Sequence, residues 1–286
     1  MGRQLARIGL ALLAAAAIAG CTRKEPPRQY ELKGQILAVL ADRRELTIKH
    51  GDIEGLMPGM TMSFPVASPD LMKGREAGEL ITARLEVSDA TARIVEITHI
   101  GNAPLPEHSN EAELVAGLLS VGDPMPDAAL IDQSDRRRSL SEWRGTLTLV
   151  TFIYTNCPLP NFCPLMDQNF AKIQRAVAAD AALAGKVKLV SISFDPDRDT
   201  PAVLASHAAA LGADPAVWTF LTGDRITIDR LAAKFGVGVL RDDSPQITHN
   251  LRTTLIGTDG RLARIYSGSD WTPSGVVADL RAALAR

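Results

Sequence analysis

The run Thr146–Thr155 carries no charge, and its polar side chains are all hydroxyls set among large apolar residues. A strand of that kind must be covered on both faces, because an edge or half-exposed strand alternates apolar with polar residues. A second run that reads as a buried strand, Lys186–Phe194, with its lysines confined to the start, follows after a stretch with Met166, Phe170, Ile173 and Val177 at helical spacing. Strand, helix and strand of this type require a layered α/β fold. The pattern then continues. Asp199-Thr200-Pro201 opens a helix, with a capping residue ahead of a first-turn proline. Trp218–Leu221 reads as a short strand, Ile226–Phe235 as a helix, and Arg252–Gly257 with Arg261–Ser267 as a hairpin around Asp259-Gly260. An amphipathic helix over Ser274–Leu284 ends the chain.

Before Gly122 the rhythm differs. Short β-like runs occupy Glu31–Leu40, Glu45–Lys49, Thr61–Val66, Glu79–Glu86 and Ala92–His99, punctuated by Gly51, Pro58-Gly59 and Gly74. They predict a small all-β barrel, of OB-like size, over residues 30–100. Residues 101–121, with Pro104, Pro106 and a weakly helical Glu111–Leu119, read as a linker to an α/β domain over 122–286.

Arg3 and Arg7 precede an uncharged stretch, Ile8–Gly20, too short to span a bilayer as a mature helix. Residues 1–20 therefore read as an export signal. Ile18-Ala19-Gly20-Cys21 resembles the bacterial lipobox, which implies lipidation of Cys21 and a polar tether over 21–29. The expected location is extracytoplasmic, on the periplasmic side, with the membrane as partner through the lipid anchor. A formal net charge of −2 and the lack of a dominant basic block argue against nucleic-acid binding.

With Cys21 lipidated, the remaining thiols are Cys157 and Cys163. In an oxidising compartment they are open to three states: disulfide-bonded, metal-bound, or cycling between the two. They lie in Thr155-Asn156-Cys157-Pro158-Leu159-Pro160-Asn161-Phe162-Cys163-Pro164, just past the buried strand. Pro164 suits a first helical turn, which places Cys163 at the positive end of a helix, where a thiolate is favoured. Two thiolates select a soft metal, and an imidazole completes three-coordination. Of the five histidines, His249 stands just ahead of the strand at Arg252. Asp195, Asp197 and Asp199 read as loop and cap residues.

A second soft cluster sits in the small domain: Met57-Pro58-Gly59-Met60-Thr61-Met62, with His50 closing the preceding strand. Met60 and Met62, two apart, share one face of a strand. Thioethers with an imidazole suit Cu(I) and not Zn or Mg, although methionines also serve as adaptable core filler. His99 and His108 read as non-ligands.

Taken together, Thr151-Phe152-Ile153-Tyr154-Thr155, Cys163-Pro164-Leu165-Met166, Phe194-Asp195-Pro196-Asp197-Arg198-Asp199-Thr200-Pro201, and His249 before Thr253-Thr254-Leu255-Ile256 resemble the Sco/SenC family. The resemblance implies a thioredoxin-like domain that binds copper through Cys157, Cys163 and His249. It also implies a role in assembling the copper centre of cytochrome c oxidase, whose subunit is then the expected copper-receiving partner. Two departures stand out: five residues separate the cysteines where the family has three, and His249 follows Thr248 where the family has an Asp. Residues 30–100 resemble the CusF-type copper-binding domain, which implies a copper site of His50, Met57, Met60 and Met62. Met57 stands where that family carries a Trp and supplies a third thioether in its place.

Two soft sites on one chain point to a copper metallochaperone, whose transfer between sites is favoured by the high effective concentration of tethered domains. The alternatives are a thiol–disulfide oxidoreductase of thioredoxin type, a peroxidase with Cys157 attacking and Cys163 resolving, and a copper storage or resistance protein. The methionine cluster has no use in either enzyme.

Overall fold

Alternation of apolar and polar residues builds the first half. In the computed structural model, which describes residues 26–88, 91–105, 117–241 and 246–285, five strands form one antiparallel sheet: β1 (Arg28–Leu40), β2 (Glu45–His50), β3 (Met60–Pro65), β4 (Glu79–Ser88) and β5 (Thr91–Asn102). Their order is β3-β2-β1-β4-β5. A bridge from Val66 to Ile94 brings the two edges together, with the Ala67 N–H donating to the Ile94 carbonyl at 2.8 Å. The curled sheet encloses Leu32, Ile36, Leu46, Ile48, Phe64, Ile81, Leu85 and Ile94. Gly34 is required where β1 crosses β2, because a Cβ there would meet the Lys49 carbonyl oxygen at 2.5 Å.

The second half is layered. Strands β6 (Ala129–Asp132), β7 (Arg137–Ser139) and β8 (Leu147–Ile153) precede α1 (Cys163–Ala178) and β9 (Val187–Ser193). There follow α2 (Pro201–Leu211), β10 (Trp218–Thr222), α3 (Arg225–Lys234), β11 (Val239–Leu240), β12 (Thr248–His249), β13 (Arg252–Ile256), β14 (Leu262–Ser267) and α4 (Pro273–Leu284). The seven-stranded sheet has the order β14-β13-β8-β9-β10-β6-β7. β8, β9 and β10 run parallel, and every residue of β8 is buried, as its uncharged sequence demands. Two of the proline-initiated helices are capped by hydroxyls: Thr200 accepts from the Val203 N–H, and Thr272 from the Gly275 N–H.

The β6–β7 hairpin and the β11–β12 hairpin are not legible in the sequence. Arg136-Arg137-Arg138 carries no apolar alternation, and two-residue strands have no period to detect. The signal segment, Cys21 and most of the linker helix Glu111–Leu119, with His108, lie outside the described residues. No helix among the described residues is long and apolar enough to cross a membrane.

The two sheets are docked through a polar core. Arg252 on β13 and Glu45 on β2 are both buried and form a two-oxygen ion pair at 2.8 and 3.0 Å. The Ser267 hydroxyl joins them, accepting from Arg252 at 3.0 Å and donating to Glu45. Alongside, the Ser269 N–H donates to Thr91 Oγ1 at 3.2 Å, and the Val121 N–H donates to Asp42 at 3.3 Å.

Candidate metal centre

β8 ends in Tyr154-Thr155 and delivers the cysteine loop to the start of α1, where Cys163 is the first helical residue and Pro164 follows in the first turn. Asp199 holds this end of the sheet. Its carboxylate accepts from the Thr155 N–H at 3.0 Å and from the hydroxyls of Thr155 and Ser193, tying the ends of β8 and β9 together. The five-residue loop folds back so that both sulfurs meet His249 from β12. One ligand atom from each of Cys157, Cys163 and His249 lies within 4.8 Å of the others, and both cysteines are free thiols. His249 Nε2 stands 3.7 Å from Cys163 Sγ.

The imidazole is fixed in place. Its Nδ1 lies 3.1 Å from the Asn250 carbonyl, which can only accept, so Nδ1 carries the proton and Nε2 keeps its lone pair for a metal. The rings of Phe194, Phe162 and Tyr154 surround it at centroid distances of 4.7, 5.6 and 5.8 Å. Asn250 in turn accepts from the Gly238 N–H at 2.7 Å and donates to the Gly236 carbonyl at 3.0 Å, which anchors the β11–β12 hairpin.

The electrostatics differ from the sequence expectation. The helix end favours a thiolate at Cys163, yet burial pushes that thiol up, and the neighbouring Cys157 sulfur pushes it further. Cys157 instead is held down, to about 4, chiefly by the hydrogen bond it takes from Cys163. The dipole of α1 is outweighed because Cys163 is 1% exposed and has lost its water. The resting pair is therefore a thiolate at 157 hydrogen-bonded by a thiol at 163.

In the small domain the register of β2 and β3 pairs His50 with Met60 and Ile48 with Met62. Paired residues share a face, so His50, Met60 and Met62 stand on one side of the sheet. His50 Nδ1 is 2.7 Å from the Gly51 carbonyl, and its buried Nε2 has no hydrogen-bond partner. Burial pushes the imidazole pKa below its ordinary value, which keeps Nε2 bare. Met57 pairs with Ile53 in a tight turn and packs against the barrel core. Each of the two clusters thus holds a histidine with Nδ1 locked on the next residue's carbonyl and Nε2 turned away from that bond. His99 is instead 3.0 Å from Glu79.

Sequence reasoning missed four side chains around these clusters, in two pairs. Asp167 and His207, 2.9 Å apart, line a small cavity with Tyr154 and Cys163 on the flank of α1. The signal available was the spacing of four from Cys163 to Asp167, which stacks the two on one helical face. Nothing in the sequence pairs Arg252 with Glu45, 207 positions away.

Residues 124–285 match the SCO1/SenC family model, and residues 29–99 match the model of the copper binding periplasmic protein CusF. The first match covers more than half of the chain. The protein belongs to the SCO1/SenC family. Among its relatives is the SCO1 protein homolog of Bacillus subtilis (strain 168), 29% identical over 156 residues that cover 53% of this chain and 78% of that one. The solved structure of a SCO1/SenC family lipoprotein from Bacillus anthracis str. Ames has a TM-score of 0.52 at 26% identity, covering 57% of this chain and 95% of that one. BsSco, described as having a disulfide switch and belonging to the Sco family of cytochrome c oxidase assembly proteins, has a TM-score of 0.50 at 26% identity. The match covers 59% of this chain and 98% of BsSco. The larger domain of this SCO1/SenC member accordingly has the thioredoxin-like fold of the Sco proteins, preceded by an all-β domain. Copper is the metal that goes with both the family and the donor chemistry: thiolate, imidazole and thioether are soft ligands.

Proposed function

We propose that the protein is an extracytoplasmic copper metallochaperone, tethered to a membrane by lipid on Cys21. It would carry copper as cargo on Cys157, Cys163 and His249 and, separately, as Cu(I) on His50, Met60 and Met62, with Met57 beside them. The recipient would be a cytochrome c oxidase subunit, in keeping with the description of BsSco's family as cytochrome c oxidase assembly proteins. The periplasmic description of the CusF model and the lipoprotein status of the Bacillus anthracis neighbour support the location.

The observation that carries this reading is the meeting of two free sulfurs and a bare Nε2, 86 positions from Cys163, within 4.8 Å. A structural disulfide would not need an imidazole there, and a surface histidine would not be boxed by three rings. The test is copper stoichiometry. The reduced chain is expected to bind close to two Cu(I); His249→Ala weakens one site alone, and Met60→Ala with Met62→Ala weakens the other. Stoichiometry unmoved by both changes defeats the two-site reading.

Thiol–disulfide exchange is the second reading, favoured by the low pKa of Cys157 next to a thiol able to resolve a mixed disulfide. Insulin reduction tests it, and turnover no faster than background removes it.

A further inference from the structure

The domain interface contains more than a tether requires. A cavity of about 110 Å³ lies between the domains, walled by Met57, Met60 and Met62 on the barrel side and by Phe162, Gly238 and His249 on the other. Gly238 comes so close that a Cβ there would stand 3.4 Å from Met60 Cε. The hairpin carrying His249 therefore sits on the methionines as a cover. Neither Cys157 nor Cys163 lines this cavity, whereas His249 belongs both to it and to the Cys157–Cys163 cluster.

We propose that the cavity is a transfer chamber, partly open to solvent, in which Cu(I) moves between the two sites within one molecule, with His249, a standing ligand of the cysteine site alone, as the donor that takes the ion from the methionines. This rests on the two-site copper reading above. In the forward direction the His249 Nε2–copper bond forms as a thioether–copper bond breaks. The Cys157 sulfur then binds as the remaining thioether and the His50 imidazole leave, and Cys163 follows with loss of its proton to water. Copper stays monovalent throughout, so no oxidant or reductant enters. The Glu45–Arg252 pair, with Ser267, holds the two walls of the chamber together: both charges are buried, and parting the domains would leave each without its partner until water reached it. Phe162, one residue ahead of Cys163 and edge-on to His249, is the wall between chamber and sulfurs.

The test uses the intact two-domain chain with Cys157→Ser and Cys163→Ser and one equivalent of Cu(I), read by NMR at the methionine methyls and the His249 ring nitrogens. The chamber predicts that both sets shift, and that Met60→Ala with Met62→Ala abolishes the His249 shift. Methionine shifts with His249 unmoved overturn the chamber and leave the barrel site standing. A His249 shift that survives loss of the methionines overturns it too. Silence at both overturns the barrel site itself.

A second measurement opens the interface without touching a donor. A Cβ at Gly268 would meet Thr91 Oγ1 at 2.6 Å, so Gly268→Val forces the domains apart; Thr91→Arg does the same from the other side if the first variant folds poorly. With opening verified by small-angle scattering, transfer onto the cysteines, followed by thiolate–copper absorbance, is expected to slow by about tenfold or more. In the parent chain the rate is expected to be independent of protein concentration. An opened chain that transfers at the parent rate, or a parent rate that rises with concentration, overturns the chamber.

Discussion

Cys157 and Cys163 are chemically the same group made unlike by surroundings. The thiolate is the nucleophile, so iodoacetamide under reducing, metal-free conditions is expected to label Cys157 well ahead of Cys163 at neutral pH. A group with a depressed pKa stays ionised as pH falls until that pKa is reached, so labelling of Cys157 should persist into acid and fade only toward its value of about 4. Mass-spectrometric peptide mapping across pH checks both points, and equal labelling of the two contradicts the assigned asymmetry. His207 gives a second handle. Burial lowers its pKa, but the hydrogen bond and charge of Asp167 raise it further than burial lowers it. Asp167, buried, is itself pushed up. The pair is charged only in the window above the Asp167 value and below the His207 value. The stability that the raised His207 pKa represents is therefore lost as pH rises through that pKa. Asp167→Asn is expected to lower the His207 pKa, followed by its ring-proton shift in an NMR titration.

At the scale of elements, the β11–β12 hairpin is the piece on which the site depends, and it has very little of its own to hold it. Two residues per strand give few ladder bonds, so Asn250 substitutes for them by bonding Gly238 and Gly236 and by accepting from His249. Asn250→Ala removes no copper ligand and keeps the backbone carbonyl. It strands the half-buried Gly238 N–H, at a cost toward the low end of the roughly 1–3 kcal/mol of a fully buried donor left unpaired. The expected result is weaker copper binding at the cysteine–histidine site with the methionine site unchanged, measured by competition with a Cu(I) chelator. Equal affinity at both sites before and after would show that the hairpin is held by other means. β8 differs in this respect: a strand buried over its whole length needs no such prop.

At the scale of the whole molecule, the buried Glu45–Arg252 pair decides whether the domains act as one body. Removing one partner leaves a charge without water or counter-charge, at a cost of about 3–5 kcal/mol, whereas replacing both with apolar groups is far milder. Glu45→Ala is thus expected to lower the denaturant midpoint strongly, and Glu45→Leu with Arg252→Met to recover most of the loss. Added salt should hardly matter, since ions screen buried pairs poorly. A single change no worse than the double one would mean that the pair is hydrated and the interface looser than its geometry indicates.

Periodicity and composition were enough for most of the architecture. Uninterrupted apolar runs required the layered sheet, alternation with turn residues required the small barrel, and Pro164, Thr200-Pro201 and Asp259-Gly260 marked where elements start and turn. These features are local, and local preference acts before any distant contact exists. Residue types also named the candidate ligands, because softness belongs to the side chain and not to its place. What waited for the tertiary structure was everything set by desolvation and by pairing across the chain: which sulfur ionises, which nitrogen of each histidine stays bare, the prop from Asn250, and the meeting of Glu45 with Arg252. Each depends on how much water is removed around a group and on what replaces it, and no window along the sequence contains both partners.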